Sequence, residues 1–160
     1  MFYKQQDDLR QVYSQLPTSC FQGDLNDTNI LIDQNHQFVG VIDFNVCGKE
    51  PVLNYAVREA LMHIEDSALF DEDGNELFFY NDYLESIRIN SFMKNMAYIG
   101  ECYEYSDLER RIFPLMFRYI NSFWWQQVYA IIHNADNIEK VEKSLDWVEL
   151  QLTRDDICLP

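Results

Sequence analysis

Glycine is scarce in this chain and never clusters. Gly23, Gly40, Gly48, Gly74 and Gly100 stand apart, so no glycine-rich loop is present to cradle a phosphate with its backbone. Cysteine is thin as well. Cys20, Cys47, Cys102 and Cys158 form no CxxC pair, which argues against a disulfide framework and reads as reduced thiols in a cytoplasmic protein. His36, His63 and His133 are isolated and none belongs to an HExxH, so zinc is not expected. No apolar run approaches the length of a membrane helix, and the opening MFYKQQDDLR lacks a signal-peptide pattern; no membrane partner is expected. Basic residues number only 12 against 27 acidic ones, a formal net charge of −15. That field repels a phosphate backbone and excludes nucleic acid as an expected partner. It would attract a cationic small molecule, although solubility alone accounts for an acidic surface.

What is there is apolar and aromatic. Of 160 residues, 48% are hydrophobic and 15% aromatic, enough for one domain over residues 1–160 with a real core. Phe2, Leu9, Val12, Tyr13 and Leu16 recur at helical spacing over 2–16, and Pro17 ends that pattern. A loop follows over 20–28. NILID (29–33) and FVGVID (38–43), separated by QNHQ, predict a β-hairpin. Pro51 fits the first turn of a helix to about residue 64, with Leu53, Val57, Ala60, Leu61 and Ile64 as its apolar face. DEDGNE (71–76) is a turn; its glycine falls too early, and no Glu closes it as a calcium loop requires. Helices are predicted over about 80–103, from the capping box Ser106–Glu109 through Pro114 to about His133, and over about 138–152. The aromatic stretch FRYINSFWWQQVY (117–129) can be a ligand platform, but at helical spacing such residues more often build core. The expected class is α+β, mostly helical, with a small hairpin attached to a helical body.

The chemistry concentrates in FQGDLNDTNILID (21–33) and FVGVIDFN (38–45). Asp24 precedes Asn29 by five positions, and Asp43 closes the second strand. Transfer of a phosphoryl group needs one carboxylate to orient the attacking hydroxyl, and hard oxygen ligands for the magnesium that bridges the phosphates. Asp24 can point at a substrate while Asn29 turns toward a metal, and the hairpin returns Asp43 beside Asn29. GDLNDTN alone would suit an ordinary turn. The joint pattern of G-D-L, Asn at plus five, two aliphatic strands and Asp-Phe argues for more.

These residues resemble the aminoglycoside phosphotransferase and choline kinase-like superfamily, whose members have a protein-kinase-like fold. The family's HGDLxxxNIL corresponds to Gln22-Gly23-Asp24-Leu25 through Asn29-Ile30-Leu31, and its V(I)DW/F to Val41-Ile42-Asp43-Phe44. Its DPxxDLA is altered to Glu50-Pro51-Val52-Leu53-Asn54-Tyr55-Ala56. The likeness spans roughly residues 20–57, and the G-D form is nearer the aminoglycoside phosphotransferase branch. It implies Asp24 as catalytic residue, Asn29 and Asp43 as magnesium ligands, ATP as cosubstrate, a small-molecule hydroxyl as acceptor, and the helical remainder as the C-terminal lobe. Gln22, in place of the motif His, is a supporting residue. Glu59, Glu65, Asp66 and Tyr55 are candidates to line the pocket, although helix surface or packing is the commoner role for each.

Departures from the family pattern set further expectations. Gln22 cannot titrate, Asn45 stands where an acidic residue is frequent, and Asn54 replaces the Asp of the DLA segment. Only 19 residues precede Cys20, with Lys4 their one lysine, so the family's N-terminal lobe, with its phosphate-pairing Lys, is not in this sequence. By this reading the chain is a C-terminal lobe, very slow or inactive alone. A non-catalytic binding or regulatory module built from such a lobe is the alternative. An uncovered lobe would also expose apolar surface and associate as a homodimer or larger assembly.

Overall fold

The structure, a computed structural model, describes residues 1–64, 82–122, 131–132 and 135–160. It is α+β and mostly helical, with two small antiparallel sheets among the described residues. Helix α1 (Phe2–Tyr13) leads into strand β1 (Thr18–Gln22), and a 3-10 turn (Asp27–Asn29) leads into β2 (Ile30–Ile32) and β3 (Phe38–Val41). A second 3-10 turn (Phe44–Val46) precedes β4 (Cys47–Pro51) and α2 (Val52–Met62). Helices α3 (Asp82–Cys102), α4 (Asp107–Asn121) and α5 (Ile138–Thr153) follow. No described helix is long and apolar enough to cross a membrane.

The core forms around α2, which packs on both α3 and α4, while α4 also receives α1 and α5. Leu53, Val57, Ala60, Leu61 and Ile64, the expected apolar face, are all buried. They meet Phe92 and Met96 of α3 and Phe113, Met116 and Phe117 of α4. Phe92 and Phe117 lie 4.7 Å apart between ring centres, and each such fully buried side chain contributes about 1.5–3 kcal/mol. Helix α4 starts on the predicted capping box: Ser106 accepts from the Glu109 N–H, and the Glu109 carboxylate returns a bond to the Ser106 N–H at 2.8 Å. Phe117 confirms core use of the aromatic stretch as far as it is described; residues 123–129 lie outside the described ones, as does DEDGNE.

Three boundaries differ from expectation. Helix α1 stops at Tyr13, because Ser14 to Leu16 turn the chain under the core, where Leu16 is buried but Tyr13 is not. Pro51 ends β4 and caps α2 instead of entering its first turn, since β4 pairs with β1 up to that residue. Helix α4 ends at Asn121, short of His133, with Ser122 as its cap; residues 123–130 are outside the described ones. The β1–β4 ladder itself was not expected. It joins two segments about 30 positions apart, in the register Thr18 opposite Pro51 through Gln22 opposite Cys47.

Candidate functional site

The ladder explains how a short loop is aimed. At its open end the Gly23 N–H donates to the Val46 carbonyl at 2.5 Å. A Cβ on Gly23 would sit 2.7 Å from that oxygen, so only glycine allows the two loops to approach this closely. Gln22, the last residue of β1, is buried and binds both loops at once. Its Nε2 donates to the Asp24 carbonyl at 3.0 Å and to the Asp43 carbonyl at 2.9 Å, and its Oε1 accepts from the Asp24 N–H. A neutral amide, with a donor and an acceptor on one planar group, suits this brace without titrating. Tyr55 of α2 fixes it from below: its hydroxyl donates to the Gln22 carbonyl at 3.0 Å, and its ring stacks on Phe21 at 3.9 Å.

Asp24 projects from this platform into solvent, with its carboxylate held by two amides. Asn26 Nδ2 donates to Oδ1 at 3.0 Å, and Asn29 Nδ2 stands 3.4 Å from Oδ2 while also donating to the Asp24 carbonyl at 2.7 Å. Asn26 in turn caps the 3-10 turn by accepting from the Thr28 N–H and hydroxyl. Asn29 is buried, with its amide nitrogen committed to Asp24. The hairpin then supplies Asp43. Ile30 opposes Val41, and the Ile42 N–H donates to the Asn29 carbonyl at 2.9 Å, so Asp43 follows the position directly beside Asn29. Asp43 holds a left-handed backbone (φ 59°, ψ 67°) that costs a non-glycine residue of order 1–3 kcal/mol, a kind of strain that gathers at functional sites.

The structure places Gln22, Asp24 and Asn29 in hydrogen-bond contact, and Gln22 also holds the Asp43 carbonyl, while the Asp43 carboxylate accepts from the Asn45 N–H at 3.4 Å. By type, the Asp43 carboxylate and the Asn29 amide oxygen are hard donors of the kind magnesium takes, a cation that keeps several waters and few protein ligands. Among the described residues no cluster of three His, Cys, Asp or Glu side chains forms.

A cleft of about 510 Å³ opens beside Asp24, between the loop Gly23–Thr28 and the last turns of α2. Glu59 lines it, as the sequence allowed; Tyr55 instead packs under β1, and Glu65 and Asp66 lie outside the described residues. Arg58 and His63, not singled out earlier, share the wall. Arg58 stands 3.6 Å from Glu59 and 3.4 Å from Glu50, and His63 Nε2 lies 3.7 Å from Glu59. Burial pushes the Glu59 carboxyl above its ordinary range against the pull of Arg58 and His63. Asn54, at the altered DLA position, bonds the Glu50 carboxylate and stays out of the cleft.

No family model matches the chain, and no curated protein or solved structure matches it either.

Proposed function

We propose that this chain is the catalytic and substrate lobe of a small-molecule phosphotransferase of the aminoglycoside phosphotransferase and choline kinase-like kind. The supporting observation is the way Gln22 and the hairpin register gather Asp24, Asn29 and Asp43 at one edge. Asp24, oriented by Asn26 and Asn29, receives the proton of an acceptor hydroxyl lying in the cleft. Asn29 and Asp43 would hold magnesium, which when bound neutralises charge on the phosphates of ATP. Arg58 and Glu59 place charges of both signs around the acceptor.

Calorimetric titration with Mg·ATP tests this reading. Binding is expected to require both magnesium and Asp43 and to vanish in Asp43→Ala. Affinity unchanged by that substitution would sink the metal assignment.

The β2–β3 hairpin and the turn after it expose large apolar side chains on both faces, with Phe38 68%, Val39 62%, Ile32 58% and Phe44 57% accessible. Exposed apolar surface of this extent tends to be covered. Self-association is therefore expected in solution, and light scattering that returned the 19.1 kDa monomer at every concentration would contradict it.

A second reading, a binding or regulatory module without catalysis, draws support from Gln22 and Asn54. Both amides serve internal bonds where the resembled family uses titratable groups. Partner affinity that survives loss of Asp43 would favour it.

A further inference from the structure

Opposed residues of an antiparallel pair share a face, and faces alternate along each strand. Cys20 opposes Lys49, and Gln22 opposes Cys47. These four therefore stand on one face of the ladder, with Phe21 and Glu50 on the other. Phe21 packs on Tyr55 and Glu50 faces Arg58, whereas both cysteines are exposed; Gln22, on the cysteine face, is buried by the two loops it binds. Along the same register Gly23 donates to Val46 and Val52 donates to Pro17. Hydrogen-bonded and non-hydrogen-bonded pairs alternate, which makes Cys20–Lys49 and Gln22–Cys47 non-hydrogen-bonded pairs, the kind with closer side chains. Cys20 and Cys47 are diagonal neighbours across them, with Cβ atoms about 7 Å apart or less.

A disulfide needs Cβ atoms roughly 3.5–4.5 Å apart, so closure requires the two strands to twist or shear by a few ångströms. Gln22 lies directly opposite Cys47 and moves with it. Its side-chain bonds to the Asp24 and Asp43 carbonyls, and the tight Gly23–Val46 bond, are the contacts that this movement stretches.

We propose that Cys20 and Cys47 form a dithiol site for small-molecule disulfides such as oxidised glutathione, and that its closure loosens the two acid loops. One thiolate attacks a glutathione sulfur and releases the first glutathione thiolate. The second protein thiolate attacks the mixed disulfide and releases the second, so two electrons pass from the protein to glutathione. Lys49 places an ammonium opposite Cys20, a cationic contact for an anionic oxidant in a chain of net charge −15. The effect on nucleotide binding rests on the phosphotransferase reading; the dithiol and its mechanical link to Gln22 do not.

The test treats reduced protein with oxidised glutathione, maps cysteine peptides by mass spectrometry, and follows amide hydrogen exchange. A Cys20–Cys47 linked peptide is expected, with exchange of the Gly23 and Asp24 amides faster by about tenfold or more and restored by dithiothreitol. Cys20→Ser or Cys47→Ser should each abolish the link and the exchange change, and Cys102→Ser should abolish neither. Absence of the linked peptide overturns the proposal, as does a linked peptide with unaltered exchange at Gly23 and Asp24. Mg·ATP titration of both forms separates the two readings. Binding by the reduced form that weakens on oxidation supports regulation of the site, and equal binding by both forms overturns it. Binding by neither form defeats the phosphotransferase reading alone, and the exchange data still decide the dithiol.

Discussion

Replacing Glu85 with Ala is expected to lower the free energy of unfolding by about 3–5 kcal/mol, a large share of what holds a domain of this size together. Glu85 is the hub of a buried polar ring that ties α3, α4 and α5. Arg88 donates to both its oxygens at 3.0 Å, Trp147 Nε1 donates at 3.0 Å, and Gln151 Nε2 at 2.9 Å. Arg88 also donates to Asn121, whose amide closes the ring on Gln151, and its guanidinium lies 5.0 Å from the Trp147 ring centre. Arg154 adds an ion pair at 2.9 Å without hydrogen-bond alignment. Alanine would leave two nearly buried guanidinium groups and two N–H donors without their acceptor, which is why the cost exceeds that of an exposed pair. Urea titration checks it, with Glu139→Ala, at a solvent-exposed Lys143 pair, leaving the midpoint unmoved. Burial by itself would raise the Glu85 carboxyl, but Arg88, with Trp147 and Arg154, holds it below the ordinary value. A carboxyl lowered by folding stabilises the protein above its unfolded pKa of about 4.5, and that contribution disappears as pH falls through the folded value. Glu85→Gln should accordingly flatten the acid limb of the stability curve. An acid limb identical to the parent's would contradict the assignment.

Asp24→Asn is expected to slow Mg·ATP-dependent phosphoryl transfer to an alcohol acceptor by about 10²–10⁴-fold, the range for losing a positioned proton acceptor. Nucleotide affinity should stay within about threefold, because the proposed reading gives magnesium to Asn29 and Asp43 and not to Asp24. The side chain is exposed, so the unfolding midpoint should hardly move. Single-turnover transfer by the parent and Asp24→Asn proteins, each completed with an N-terminal lobe because the lobe alone is expected to be very slow, supplies the comparison. Equal, measurable rates for the two would remove Asp24 from the chemistry.

The apolar face of α2, the capping box of α4 and the β2–β3 hairpin were legible because each is written in local spacing. The β1–β4 ladder was not. CGKEP carries a glycine, two charges and a proline, no strand pattern at all, and it is extended only because TSCFQ pairs with it across about 30 residues. The same distance effect hid part of the site. Gln22 reads as a lost histidine until the structure gives its amide two carbonyls to bind, and Asn26 reads as one turn residue among several. Arg58 and His63 enter the cleft because α2 presents its polar face to the loop, an orientation that the helix period alone leaves undirected. In the polar ring, the Glu85–Arg88 spacing is an ordinary surface pair in sequence; what buries it is the arrival of α5 from some sixty residues further on.

The β2–β3 hairpin shares no ladder with β1–β4, so Asn29 and Asp43 are carried by a two-stranded unit docked on the body. An isolated hairpin of this size is marginally stable in water. Apparent affinity for anything bridging those two residues then scales with the fraction of molecules whose hairpin is docked. The far turn becomes a control point remote from any ligand. There Asp33 accepts from the Asn35 and Gln37 N–H groups, and His36 occupies the left-handed region at φ 60°. A residue more at ease in that conformation would raise the competent population, tightening binding through the turn alone while every group that meets the ligand stays as it is.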